Sequence, residues 1–497
     1  MASDPTDRDA SVLSGSRRRF LALTAASAVG VAGCSTETAT PGDGGGDGGD
    51  GGGNGGDGDG SDAGDGGDGD DTASESGSGG DGSPSETETA ESVVGRPLEE
   101  WSGYDPEWEP PTSSPLEASL GYEVLVENLE VPWDIAFTPD GDMFVTERVG
   151  LVLRFDGDEV RTVAEPADAI DAGSIPPGSD KRPWWVKGGE GGTLGVAVHP
   201  TFPDPSHIFV YYTYKDDEGT KYNKVSAFDV ESENPGEPVA TVVDGIPANN
   251  YHNGGRITFG PRNYLWITCG DGGESEKAQD PGTLGGKILR VTPAGDPAPD
   301  NPDIGEDADP RVFTYGHRNP QGIVWLPDGT PINSEHGPSG RDEINRLVPG
   351  DNYSWPEVFK PANYPGTDFH EPLFNTKSES FAPTGSLFYT GDELPALRNR
   401  MITGGLISQQ LIVTTLTPKG GELPPKDDAY AQVTADWSDP AYTTTVHTTM
   451  KNELGRVRHV EQSPDGDVYV ITSNRDGRAK GKFPTERDDV LVRLTRE

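Results

Sequence analysis

The sequence is poor in cysteine, in positive charge and in long apolar runs. It has only Cys34 and Cys269 in 497 residues, so no disulfide framework can hold the fold together. Its 39 Lys and Arg stand against 84 Asp and Glu, a net charge of −45. A chain this acidic repels nucleic acid and anionic membrane, which argues against both as partners. It fits a protein that stays soluble at very high salt, where self-repulsion is screened, and so points to a halophile. No apolar run is long enough to span a bilayer. No long stretch shows a helical period either. What remains is a texture of short apolar runs separated by Gly, Pro and Asp.

Three segments differ in composition. Residues 1–34 read as an export signal. Ser16-Arg17-Arg18-Arg19-Phe20-Leu21 is a twin-arginine pattern, followed by a short apolar run from Leu21 to Ala32. That run ends in Val31-Ala32-Gly33-Cys34, which resembles a lipobox with Cys34 as the lipidated residue. The expectation is export by the twin-arginine route and a lipid anchor on the outer face of the cell membrane. Residues 35–115 are assigned as a disordered acidic tether, because their Gly/Asp-rich part cannot bury a core. Residues 116–497 are the folded domain. At about 150 residues per domain the chain could hold more than one, but all-β barrels and propellers run longer as a single unit.

One pattern recurs in that domain: an apolar strand, a tight turn often reading Pro-Asp-Gly, then a second strand ending in a polar loop. It appears at Trp133–Thr146, Leu194–Tyr212, Gly255–Thr268, Gln321–Ser334 and Val457–Thr472, with a weaker copy at Gly385–Thr403. The turn prolines Pro139, Pro200, Pro261 and Pro327 are spaced by 61, 61 and 66 residues, and Pro464 follows after 137, which leaves room for the weak copy. Strand-built repeats of this length predict an all-β fold, a six-bladed β-propeller of four-stranded antiparallel blades. A β-sandwich array explains the even spacing less well. The termini would share a blade, with Tyr122–Val126 beside Val490–Leu494.

In a propeller the loops at one end of the channel converge, so residues far apart in sequence meet there. His252 is the side chain best suited to take a proton near neutral pH. Asp271 lies one strand-length downstream, where it can orient that ring. For an isolated pair the blander reading, a capped turn, would win; here the repeats bring the pair to the loop end. Arg256, Arg318, Arg456 and Arg458 recur at similar repeat positions. Clustered in so acidic a chain, they would bind a ligand carrying several carboxylates or phosphates.

The motifs His252-Asn-Gly-Gly-Arg256, Gly270-Asp271-Gly-Gly, Gly316-His317-Arg318-Asn319-Pro-Gln-Gly and Ser334-Glu335-His336-Gly337-Pro338 resemble the soluble glucose/aldose sugar dehydrogenases that use pyrroloquinoline quinone (PQQ). So do Asp342-Glu343-Ile-Asn345, Glu190-Gly-Gly-Thr-Leu-Gly and Gly350-Asp-Asn-Tyr353-Ser-Trp355-Pro. The resemblance covers about residues 120–496. It implies PQQ in the channel mouth and oxidation of an aldose to a lactone, with electrons passed to an external acceptor. His252 matches the general base, Asp271 its orienting acid, and Arg318 and Asn319 groups at the reactive side of the cofactor. Arg456 and Arg458 match partners of its carboxylates, and Glu190 stands where glucose-oxidising members carry Gln. The carbonyls of Gly337 and Pro338 match ligands of a calcium ion at the cofactor, and Glu343 with the Tyr353 carbonyl a second, structural calcium. Where those members place Lys against the cofactor, Ile407 stands. A calcium-dependent propeller lactonase and a non-catalytic binding propeller are the alternatives. The first has no use for four arginines, and the second none for His252, Asp271, Arg318 and Asn319 together. The oligomeric state is left open between monomer and homodimer.

Overall fold

The computed structural model describes residues 94–176, 179 and 186–497, all within a unit spanning Asp81–Glu497. The export signal, Cys34 and the tether through residue 93 lie outside the described residues. Six antiparallel sheets follow one another along the chain. The first five start on the innermost strands Pro132–Phe137, Thr193–Val198, Ile257–Phe259, Pro320–Trp325 and Pro383–Tyr389. The sixth runs from Val457–Gln462 through Val468–Thr472 and Leu491–Arg496 to Leu120–Val126. The protein is a six-bladed β-propeller, and helical structure among the described residues is limited to short 3-10 turns. The two ends of the domain close the ring by pairing the segments expected from the sequence: Tyr122 faces Leu494 and Val124 faces Val492.

The turn chemistry explains why the strands repeat. After the first innermost strand, Thr138 N–H donates to the Asp142 carbonyl and Gly141 N–H to the Thr138 carbonyl. The same pair of bonds recurs at Leu326–Thr330 and at Ser463–Asp467. Gly141 and Gly329 sit at φ of 94° and 87°, a left-handed conformation that only glycine adopts at little cost. Both faces of each blade are covered by neighbours, so strands such as Leu265–Cys269 and Lys287–Val291 are buried at every position. Trp133, Leu194, Phe209, Ile257 and Ile267 form one of the apolar seams between blades, each worth roughly 1.5–3 kcal/mol on burial.

Two features depart from the expectation. Four-stranded sheets form five of the blades, but the fifth blade gains an extra strand, Ala431–Val433, outside Tyr442–Thr449. The tether also ends earlier than residue 115. Residues 94–118 pack on the propeller, with Trp101 against the cluster of Trp266 and Trp325, and Trp108 edge-on to Phe388. Arg400 further holds the Ser113 carbonyl. The reading of a low-complexity tether overlooked these apolar anchors, which cover blade surface and repay the entropy of ordering the segment.

Candidate active site

Consecutive strands run antiparallel, so the loop entering each innermost strand and the loop leaving its neighbour lie at the same end of the ring. That end gathers residues from all six repeats around a cavity of about 540 Å³. His252, Glu190, Arg318, Gly337, Ile407, Arg456 and Arg458 all line it.

His252 sits in a tight turn with φ of 59°, a left-handed conformation that is costly for a non-glycine residue and typical of functional sites. The turn closes against Gly270, where a Cβ would collide with the His252 carbonyl. Its backbone N–H donates to Glu190 Oε2 at 3.0 Å. Its Nδ1 lies 2.8 Å from Asp271 Oδ1. Asp271 is 1% exposed and also accepts from Gly273 N–H at 2.7 Å and from the Trp355 indole at 2.9 Å. A carboxylate so supplied with donors accepts the Nδ1–H hydrogen bond of His252 and keeps that proton on Nδ1, which leaves the Nε2 lone pair free to accept one. The sequence names both residues, and the structure brings them into hydrogen-bond contact.

The arginines divide. Arg318 reaches the His336 carbonyl at 3.1 Å and lies over the Trp355 ring, 5.3 Å from its centroid. Burial lowers its pKa from the ordinary value. Arg456 grips Asp476 Oδ2 through Nε and Nη2 at 3.0 and 2.7 Å. Burial alone would raise the Asp476 pKa, but Arg456 and Arg458 more than offset this and hold it below the usual carboxylate value. Arg458 donates to Gln321 at 3.0 Å, and burial, reinforced by Arg148, pushes its pKa down to about 9. It is still a cation at neutral pH. Arg256 does not join this group. It pairs with Asp134, stacks 4.3 Å from the Trp133 ring centroid and lines a separate cavity with His459 and Glu461. Arg256 stands five residues before the turn proline Pro261, whereas Arg318 stands nine before Pro327, so Arg256 sits deeper along its innermost strand, beside the channel interior.

Arg148, Arg478 and Asp476 line the main cavity too, and sequence reasoning passed over them. Arg478 donates to Glu190 Oε1 at 3.0 Å, so Glu190 is held at both oxygens beside the base. The available signal was positional, because Asp476 and Arg478 leave the last repeat's second strand as Asp271 leaves the third's. Asn319 stays behind the wall: its Oδ1 accepts from Gly254 N–H at 3.0 Å. His317 is fully buried between Glu335 and Thr314 and stacks on Tyr353. Pro338, Glu343 and Tyr353 line a second, narrow cavity beside Gly337, His336 and Glu335.

Residues 129–482 match the family model described as Glucose / Sorbosone dehydrogenase. The chain belongs to this family. It is 30% identical over 378 residues to the aldose sugar dehydrogenase YliI of Escherichia coli K12, covering 72% of this chain and 92% of that one. It is 29% identical over 271 residues to the quinoprotein glucose dehydrogenase B of Acinetobacter calcoaceticus, covering 48% of this chain and 52% of that one. Among solved structures, it resembles the PQQ-bound form of an aldose sugar dehydrogenase from Streptomyces coelicolor. That match has a TM-score of 0.60 at 29% identity and covers 78% of this chain and all of the other. The protein is thus an oxidoreductase of the glucose/sorbosone dehydrogenase family.

Proposed function

We propose that this family member oxidises an aldose to its lactone, using PQQ and calcium and passing the electrons to an external acceptor. The observation that carries this reading is a pair of buried guanidinium N–H groups, Arg318 Nε and Arg458 Nε, that have no acceptor among the described residues. Both arginines line the cavity that holds the His252 base. Buried donors without acceptors are costly, and a ligand rich in carbonyl and carboxylate oxygens would satisfy them. PQQ is such a ligand, so the residues present fit it.

When bound, PQQ supplies a carbonyl carbon that accepts a hydride from the sugar. His252 Nε2 takes the proton of the anomeric hydroxyl, and Asp271 steadies the imidazolium that results. Arg318 and Arg458 would hold cofactor oxygens, and Arg456 would do so while tied to Asp476. Asn319 supports the wall from behind. Glu190, fixed by Arg478 and the His252 amide, borders the sugar.

Calcium would act as a Lewis acid on the cofactor. Gly337 and Pro338 would offer it backbone oxygens, although Arg341 Nη1 shares the Pro338 carbonyl at 2.8 Å. In the narrow cavity, Glu343 stands directly across the sheet from Glu335, and the accessible space is about 10 Å³. Burial, aided by Glu335, raises the Glu343 pKa to about 8. Paired carboxylates around an ion-sized space are hard oxygen ligands that suit calcium. Among the described residues no three His, Cys, Asp or Glu side chains converge on a metal position; the Tyr353 carbonyl would serve beside the Glu343 carboxylate. The proposal extends to twin-arginine export, anchoring through Cys34 and action outside the cytoplasm, on the motifs of residues 16–34.

The test is a cofactor titration. The purified protein in molar salt receives calcium and PQQ, and the visible spectrum is followed as aldoses and an artificial acceptor are added. Stoichiometric binding and sugar-dependent reduction support the proposal; no binding with calcium present sinks it. His252→Ala should keep PQQ binding and lose at least about two decades of turnover, the range of a general base. Undiminished turnover would remove His252 from the mechanism.

A further inference from the structure

His336 lines the same cavity as His252 and Arg318. Its ring is fixed at both backbone ends: His336 N–H donates to the Asn319 carbonyl at 3.1 Å, and its own carbonyl accepts from Arg318 Nη1. The side chain of Asn319 decides where its proton sits. Asn319 Oδ1 accepts the Gly254 N–H at 3.0 Å, so the carboxamide must present its N–H edge on the other side. That edge, Nδ2, faces His336 Nδ1 at 3.4 Å. An N–H can only donate, so His336 Nδ1 is the acceptor and carries no proton. A neutral imidazole has one N–H, which therefore lies on Nε2. That atom is buried and has no partner among the described residues.

The contrast with His252 is direct. There a carboxylate, Asp271, draws the proton to Nδ1 and leaves Nε2 as a lone pair. Here a carboxamide leaves Nδ1 bare and puts the proton on Nε2. We propose that the mouth holds imidazoles in opposite tautomers: His252 accepts a proton, and His336 Nε2–H donates a hydrogen bond to a carbonyl oxygen of the bound quinone. Asn319 is the positioning residue that sets this tautomer. The proposal rests on the cofactor reading for the identity of the acceptor, whereas the tautomer stands on the protein alone.

The test separates the two. Histidine is labelled with ¹⁵N in the full folded domain, and tautomers are read from the ring ¹⁵N shifts without cofactor, at one neutral pH. The His336 signals, identified by their loss in His336→Gln, are expected to show Nε2–H. Asn319→Asp replaces the donor edge with an acceptor and is expected to switch His336 to Nδ1–H. PQQ titrations then follow. His336→Ala and Asn319→Asp should weaken binding about tenfold or more, and His336→Gln, which retains an N–H donor, should recover most of that loss. A His336 proton found on Nδ1 in the unmodified protein overturns the proposal. So does unchanged PQQ affinity in His336→Ala. If the unmodified protein shows Nε2–H but binds no PQQ, the cofactor reading and the quinone acceptor fail together, while the tautomer assignment holds.

Discussion

Trp355 touches both halves of the site: its indole N–H meets Asp271 at 2.9 Å, and Arg318 lies over its ring. Trp355→Phe keeps an aromatic face for Arg318 but removes one donor from the carboxylate that orients His252. A hydrogen bond to a charged group is worth about 1.5–3 kcal/mol, so kcat should fall about 10- to 100-fold with KM nearly constant. An unchanged kcat would show that the remaining donors suffice. Glu147 gives a second test at this scale. It is 4% exposed, and burial raises its pKa to about 7. Between its ordinary value near 4.5 and 7, the folded state holds a proton that the unfolded state has released, so this group lowers stability as pH rises through that window. Glu147→Gln mimics the protonated form and still accepts the Glu130 N–H. Its melting temperature should match the parent near pH 5 and exceed it at pH 8; equal values at both would dismiss the shift. His252 and Asp271 were legible in the sequence because their chemistry is rare and their spacing is one strand. Arg256 was legible as a cation but not its direction, because composition does not report how deep along a strand a residue sits, and Arg478 was missed because it lies in the turn beyond Val468–Thr472, outside the repeated pattern.

At the scale of elements, the repeats were legible because each carries its own turn signal. The weak copy at Gly385–Thr403 lacks Pro-Asp-Gly and instead links its strands through Pro395–Leu397, yet it sits in the ring as the fifth blade. The extra strand Ala431–Val433 carries no such signal, since it pairs only with Thr444–Val446. The segment 94–118 escaped notice because its anchors are single aromatics in polar chain. It crosses the end of the ring away from the cavity: Gly95 N–H donates to the Arg262 carbonyl and Asp105 N–H to the Pro327 carbonyl. Both acceptors lie in turns between an innermost strand and its neighbour. Trp101→Ala and Trp108→Ala each remove part of a large apolar contact worth roughly 1.5–3 kcal/mol when complete. The double variant should melt several degrees lower, while PQQ affinity is kept because the cavity is at the opposite end. A loss of affinity equal to the loss of stability would show that the two ends of the channel are coupled.

At the scale of the molecule, acid charge and a cationic cavity oppose each other. The chain carries −45 overall, yet its main cavity is lined by Arg148, Arg318, Arg456, Arg458 and Arg478 against Glu190, Asp342 and Asp476. The surrounding acids raise the local concentration of cations and repel anions, while the buried arginines attract them at short range. Salt acts on these differently. The screening length falls from about 8 Å at 0.15 M to about 3 Å at 1 M, so repulsion among exposed carboxylates fades, while contacts inside the cavity are screened much less. Raising NaCl from 0.15 M to 2–3 M should therefore raise the melting temperature by several degrees. It should also speed the association of an anionic cofactor, because the long-range repulsion disappears first. Dissociation, set by short contacts to buried guanidinium groups, should change little. Stopped-flow binding of PQQ across that salt range measures both rates. An association rate that falls with salt, as for a cationic surface, would mean that the arginines and not the acidic exterior govern the approach of the ligand.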